Sequence, residues 1–442
     1  MTIHFGTDGI RGRANETLTI EMAYRIGCYL GHINKKGRII IGRDTRLSGG
    51  MFEMALAAGI SSRGCNVYLL EVCSTPSLIY ILLKEKYDNG IMITASHNPY
   101  TDNGIKIISN TGEKISHQLE TDIENYIYSS DVLETSSYQE IGQVIDYSDA
   151  LDDYCLHLTQ LFPIDLHGFK IAVDCANGSC STIAKKVLEN LQANVTSLFD
   201  KPDGYNINKD CGSTHIEYLA NYVKDNHFDC GFAYDGDGDR CIAVGSKGQI
   251  IDGDKILYCL GKQLKESNKL NGNKIVTTVM ANLGLFKKLD EENIGYEKTQ
   301  VGDKYVYQNM CLNNYVLGGE QSGHIILSDY ATTGDGLLTT LALLNASINK
   351  KQSLDQLTDD LFIYPQLLVN IEVNNKEEVL NHQGLKNVCQ QVENQLAGNG
   401  RVLVRASGTE PLIRVMVEAQ TDQLCEKYCY QIIDYIKENF KH

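Results

Sequence analysis

The 442-residue sequence predicts an α/β protein, with three similar mixed-sheet α/β domains and a C-terminal α+β domain around one central cleft. Three observations predict it. A short β-branched run that ends in a polar or glycine-containing turn occurs three times, at RIIIGRDTR (38–46), KIAVDCANG (170–178) and KIVTTVMANLG (274–284). Strands and helical stretches then alternate, which implies βαβ units and a largely parallel sheet. The third strand of each unit runs straight into the most chemically loaded loop nearby: TASHNP (94–99), DGDGDR (235–240) and GEQSGH (319–324).

The helical periodicity after each first strand lies in MFEMALAAGISSRG, STIAKKVLENLQ and LFKKLDEEN. Second apolar runs follow at CNVYLLEV (65–72), ANVTSLFD (193–200) and, more weakly, IGYEK (294–298). Third strands follow at GIMITAS (90–96), CGFAYDG (230–236) and YVLGGE (315–320). Ligands of open α/β sheets bind beyond the carboxyl ends of the strands, so the three loops can serve one cleft. The tail leaves this rhythm: strands at 367–375, 401–408 and 411–420, the last two paired across SGTE, precede a closing helix at 422–440. The expected domains are 1–150, 151–250, 251–366 and 367–442.

A net charge of −16 argues against nucleic acid and anionic membrane as partners, so an anionic substrate needs a local cluster of arginine and lysine. The N-terminus MTIHFGTDGIRG lacks the sections of a signal peptide, and no apolar run reaches the roughly 18 residues of a membrane span. A soluble cytoplasmic protein is expected. Its 14 cysteines form no CxxC pair and read as buried, reduced thiols.

Asp235, Asp237 and Asp239 alternate with glycines, and three hard oxygen donors on one loop suit Mg²⁺. The twelfth position from Asp235 is Ser246, which excludes an EF-hand; a solvated acidic turn is the plain alternative. Ser96 has three readings: a hydrolase nucleophile without the usual flanking glycines, a phosphoryl carrier, or part of a helix cap or Asn-Pro turn. A phosphoserine would seek both Mg²⁺ and arginine, and DGDGDR offers both. In RASGTEPLIR, Arg405, Ser407 and Thr409 flank a glycine, and a hairpin would bring Arg414 alongside; phosphate binding competes with a simple turn. Glu320, Ser322 and His324 suit sugar hydroxyls or proton transfer, or a structural turn.

Together these pieces resemble the α-D-phosphohexomutases, most closely the bacterial phosphoglucosamine mutase branch. The resemblance covers essentially the whole chain, in order: FGTDGIRG, GRDTR, TASHNP with NGIK, DCANG, DGDGDR, VGDKYV, GGEQSGH, TTGDG and RASGTEPLIRVMVE. It implies an isomerase that interconverts glucosamine 6-phosphate and glucosamine 1-phosphate and so feeds UDP-N-acetylglucosamine and cell-wall precursor synthesis. Ser96 would be the phosphoserine, and glucosamine 1,6-bisphosphate the intermediate and activator. Mg²⁺ would be held by Asp235, Asp237, Asp239 and a Ser96 phosphate oxygen. Arg11, Arg240 and His97 match positions near the phosphoserine. Lys106 matches a general acid/base, its pKa lowered by desolvation and neighbouring cations, and His324 a second candidate. Glu320 and Ser322 match the sugar loop; Arg405, Ser407, Thr409 and Arg414 match the distal phosphate clamp.

Gln321 in GEQSGH and the wording of the clamp look like the glucosamine branch, whereas Lys304 stands where that branch commonly has arginine. The same chemistry on mannose or glucose phosphates (phosphomannomutase/phosphoglucomutase) is the nearest alternative, followed by a metal-dependent phosphatase and a non-catalytic phosphosugar binder. The partner expected is a small-molecule phosphosugar. A homodimer is compatible with the sequence, which names neither the oligomeric state nor an activating kinase.

Overall fold

The computed structural model describes residues 4–6, 8–407 and 412–440. The chain divides into two compact units, one running to Met280 and including Ile294–Asp360, the other formed by Ala281–Asn293 with the chain from Leu361 on.

In the first unit the threefold rhythm becomes three sheets. Arg38–Arg43 pairs in parallel with Asn66–Val72 and Asn89–Ile93. Lys170–Asp174 does the same with Asn194–Leu198 and Cys230–Tyr234, as does Lys274–Thr278 with Gly295–Thr299 and Leu317–Gly319. Each trio then gains a strand that the apolar pattern did not reveal. Asp102–Ser109, Cys241–Gly245 and Ile325–Leu327 return antiparallel to the third strand of their sheet. The sheets are therefore mixed, and each loaded loop is the tip of a hairpin. Gly9–Arg13 adds to the first sheet, antiparallel to Asp102–Ser109.

The core of the first sheet is aliphatic, built from Ile39, Ile41, Val67, Ile91 and Ile93 against Leu56 and Ile60. Helix Ile20–Ile33 lies close against helix Gly49–Ser61 because its contact face is glycine: a Cβ on Gly27 or Gly31 would sit 2.4 Å from the Leu56 carbonyl or 2.5 Å from that of Ile60. Among the described residues no helix is long and apolar enough to cross a membrane. All fourteen cysteines are free thiols; twelve are buried, Cys389 is half-buried and Cys311 is exposed.

The second unit is a three-stranded antiparallel sheet with Leu412–Glu418 at its centre, flanked by Gln366–Glu372 and Arg401–Ala406. Helices Gln383–Leu396 and Asp422–Asn439 supply its apolar cover. Helix Leu283–Glu291, which the rhythm assigns to the third α/β domain, clusters here. Buried Glu418 accepts the Leu283 backbone N–H at 2.9 Å and pairs with Arg401 at 2.7 Å, which anchors the helix start to the sheet.

Candidate active site

Ser96 sits in a loop whose backbone is over-determined. Its φ of +53° lies in the left-handed region, a strained conformation that persists only under outside restraint. Arg46, fully buried, supplies most of that restraint. It donates to the carbonyls of Ser96 (3.0 Å), Asn98 (2.8 Å), Asp102 (3.0 Å) and Pro99, while Asp44 accepts its Nε at 2.9 Å. Asp44 also accepts the Thr94 hydroxyl at 2.6 Å. From the second repeat, Asn208 donates to the Ser96 carbonyl at 2.9 Å. Gly236 lies so close that a Cβ there would stand 2.4 Å from the same oxygen. With the backbone pinned, the Ser96 hydroxyl donates to Asp235 Oδ2 at 2.6 Å and lies 3.2 Å from His97 Nδ1.

The Asp235 loop closes the hairpin between Cys230–Tyr234 and Cys241–Gly245. One oxygen from each of Asp235, Asp237 and Asp239 lies within 4.8 Å of the others, and all three residues are buried. Asp237 Oδ1 and Asp239 Oδ1 have no hydrogen-bond partner. Orphaned buried carboxylate oxygens are costly, and a hard divalent cation satisfies such a set. The residues fit the metal. Burial, then repulsion from Asp239 and Asp237, raises Asp235 well above the usual carboxylate range.

Cations surround this acid cluster. Lys106, on strand Asp102–Ser109, places Nζ 2.8 Å from Asp237, 3.0 Å from Asp8 and 3.6 Å from Asp239. This corrects the expectation of a lowered lysine pKa. Burial does pull it down, but Asp237, Asp8 and Asp239 outweigh burial and raise it well above the ordinary value, because the near neighbours are carboxylates. Arg11 pairs with Asp8, and Arg240 Nε lies 4.0 Å from Asp235 and 3.9 Å from Asp239. Burial, then Arg240 and Arg11, lowers His97 to about 4. Lys114, which no motif marked, stands 2.7 Å from Asp303 and 3.1 Å from Asp8, so it ties the VGDKYV loop to this cluster.

In the third repeat, Glu320 Oε1 accepts the Gly302 N–H at 3.0 Å, and the buried Ser322 hydroxyl has no hydrogen-bond partner. Gln321 Nε2 lies 3.5 Å from Asp252 Oδ2, turned toward the cap of helix Gly253–Glu266. His324 pairs backbone to backbone with Arg240 in an antiparallel β-bridge; its side chain places Nδ1 3.6 Å from Asp239 Oδ1, and Nε2 accepts the Gly334 N–H at 3.1 Å. Burial lowers His324, but Asp239 outweighs it and pulls the group up to about 9. A cavity of about 430 Å³, in the range of small-ligand sites, opens here, lined by Lys106, Lys114, Asp239, Asp303, Lys304 and His324 and by apolar Ile79 and Tyr307.

In the second unit, Arg405 and Arg414 are direct cross-strand partners. Burial, then the Arg414 charge, lowers Arg405. Like charges directly opposite destabilise a sheet unless another group offsets them. Ser407 is buried and its carbonyl accepts Lys376 Nζ at 2.8 Å. Thr409 lies outside the described residues.

Four domain models match the chain in order. Phosphoglucomutase/phosphomannomutase α/β/α domains I, II and III match residues 2–133, 147–248 and 252–363, and the C-terminal domain of the same family matches 368–434. The chain belongs to this phosphohexomutase family. A family member from Lachnoclostridium phytofermentans, a phosphoglucosamine mutase, is 48% identical over 440 residues, 98% of each chain. The chain is thus an isomerase of the phosphoglucosamine mutase branch. Among solved structures, a phosphoglucomutase/phosphomannomutase family protein from Burkholderia thailandensis matches with a TM-score of 0.80 at 24% identity, covering 99% of this chain and 98% of that one. Aspergillus fumigatus N-acetylphosphoglucosamine mutase, solved with GlcNAc-6P and magnesium, matches with a TM-score of 0.71 at 16% identity, covering 99% and 96%. These two likenesses carry the fold alone.

Proposed function

We propose that the chain interconverts glucosamine 6-phosphate and glucosamine 1-phosphate through a phosphoserine at Ser96 and a glucosamine 1,6-bisphosphate intermediate. The observation that carries this reading is the Ser96 hydroxyl, 2.6 Å from Asp235 at the edge of three buried carboxylates. Ser96 Oγ gives its phosphoryl group to a sugar hydroxyl: the bond from phosphorus to Oγ breaks as that to the sugar oxygen forms. The charged Lys106 Nζ gives a proton to the departing Oγ and takes up the one that the sugar hydroxyl loses. The bisphosphate then turns and returns its other phosphoryl group to Ser96. Asp235, Asp237 and Asp239 would hold a Mg²⁺ ion, which when bound would neutralise charge on the group in transfer. Arg11 and Arg240 orient the phosphoryl oxygens beside neutral His97. Ser322 and Glu320 take sugar hydroxyls, and Arg405, Ser407, Thr409 and Arg414 hold the remote phosphate. The reaction belongs in the cytoplasm, where it supplies UDP-N-acetylglucosamine synthesis.

The test is kcat/KM on glucosamine, mannose and glucose 6-phosphates, with Mg²⁺, the matching 1,6-bisphosphates and enzyme of checked Ser96 phosphorylation. A preference of about tenfold or more for glucosamine phosphate, about 1.4 kcal/mol of discrimination, is expected. Equal turnover of mannose or glucose phosphate would overturn the substrate assignment.

A further inference from the structure

The acid cluster is gripped from outside its own repeat by a residue that no motif marked. Thr75 opens helix Thr75–Glu85, which follows strand Asn66–Val72 of the first sheet. Its Oγ1 donates to Asp237 Oδ2 at 2.6 Å, and its backbone N–H donates to the Asp237 carbonyl at 2.9 Å. The second bond follows from the position. The first N–H groups of a helix lack an intrahelical acceptor; the Ser74 side chain takes that of Ser77, Pro76 has none, and that of Thr75 must find its acceptor outside. Gly238 lets the two segments close on each other, since a Cβ there would stand 3.1 Å from that of Ser74.

The donors on Asp237 are unevenly shared. Oδ2 accepts the Thr75 hydroxyl at 2.6 Å and Lys106 Nζ at 2.8 Å, whereas Oδ1 accepts nothing. Lys106 divides its donors between Asp237 and Asp8, but the single hydroxyl proton of Thr75 goes to Asp237 alone. Both Thr75 and Asp237 are buried, so water does not compete for the bond. A carboxylate held at its backbone and at one oxygen presents the other oxygen in a set direction. We infer that Thr75 is a positioning residue for Asp237: it occupies Oδ2 and so keeps Oδ1 for the divalent cation. Partners behind metal ligands are typically worth about 10–100-fold in affinity. The first repeat then supplies both Ser96 and an outer support of the metal loop in the second.

The inference rests on the metal site of the function proposed above, and Mn²⁺ binding to metal-stripped full-length enzyme, followed by electron paramagnetic resonance, tests it without turnover. Thr75→Val, which keeps the shape and removes the hydroxyl, is expected to weaken binding about 10–100-fold. Thr75→Ser keeps the donor and is expected to hold most of the affinity. A role in packing alone reverses that order, because valine retains the methyl group and serine loses it. Should the valine variant not fold, Thr75→Ala takes its place in the comparison with serine. Wild-type affinity in the variant without a hydroxyl, or an equal loss with serine, would overturn the inference alone. A wild-type protein that binds no Mn²⁺ would remove the metal site and this inference with it.

Discussion

The hydroxyl of Ser96 reaches across 139 positions of sequence to donate to Asp235 at 2.6 Å. It is the meeting point of the first and second repeats, and the nucleophile assignment hangs on it. Ser96→Ala is expected to lower kcat at least about a thousandfold, since the proposed phosphoryl carrier is lost. Intact-mass measurement of the purified protein, before and after incubation with the bisphosphate, should show no phosphorylated species in the variant. Full activity would sink the mechanism.

Arg46 makes a different prediction, one about stability. Arg46→Lys keeps the charge but loses the planar fork, leaving carbonyls at 96, 98, 99 and 102 and the Asp44 carboxylate short of donors. Breaking a buried, hydrogen-bonded charge costs about 3–5 kcal/mol, readable as a lower urea midpoint. A change below about 1 kcal/mol would show that the loop is held by other means.

At the opposed arginines, neutralising one member separates binding from folding. Arg405→Met relieves a like-charge pair, so the melting temperature without substrate should hold or rise. KM for the phosphosugar should rise by about 10–100-fold, the loss of charge-assisted hydrogen bonds of roughly 1.5–3 kcal/mol. A fall in Tm with unchanged KM would assign Arg405 a structural role.

Thiol chemistry gives a simple check on the burial pattern. Burial pushes Cys65, Cys73 and Cys211 up to about 12, and Cys311 alone of the fourteen is exposed. Native protein should release one fast equivalent of chromophore with Ellman's reagent, and Cys311→Ser should abolish it. Several fast equivalents would contradict the packing around the sheets.

Asp174, in the DCANG turn, predicts a pH dependence. Burial raises its carboxyl to about 6 against the N–H donors of Gly212 and Ala176. A folded-state pKa above the unfolded value means a contribution that is complete below about pH 4 and lost as pH rises through about 6. The stability of wild type relative to Asp174→Asn should therefore fall between pH 4 and 7 by roughly 3 kcal/mol, measured by urea unfolding at each pH. A flat difference would place the carboxyl near its ordinary value.

The parallel trios were legible because β-branched runs such as RIII and KIAV end in polar turns, and Asp235, Asp237 and Asp239 were legible because their spacing is itself the signal. The antiparallel returns were hidden. Ile325–Leu327 is three residues long, and Asp102–Ser109 begins with polar residues that belong to the loop. Arg46 could be seen in GRDTR, but its job is to satisfy carbonyls about fifty residues away, and carbonyls leave no mark in sequence. Lys106 was misjudged in direction for a related reason: local sequence surrounds it with apolar residues, while its carboxylate neighbours come from 8, 237 and 239. Asn208 and Lys114 carry no signal at all outside their tertiary partners.

Each loaded loop begins on a parallel strand and ends on an antiparallel return, so its length and content can change without altering the register of the sheet behind it. One module could thus be copied three times and each copy given a separate trade: the proposed nucleophile at 96, an acid cluster at 235–239, and the loop at 320–324 proposed to read sugar hydroxyls. On the proposed assignment, such a plan would let the third copy's loop be retuned for another sugar while the loops of the first two stay untouched.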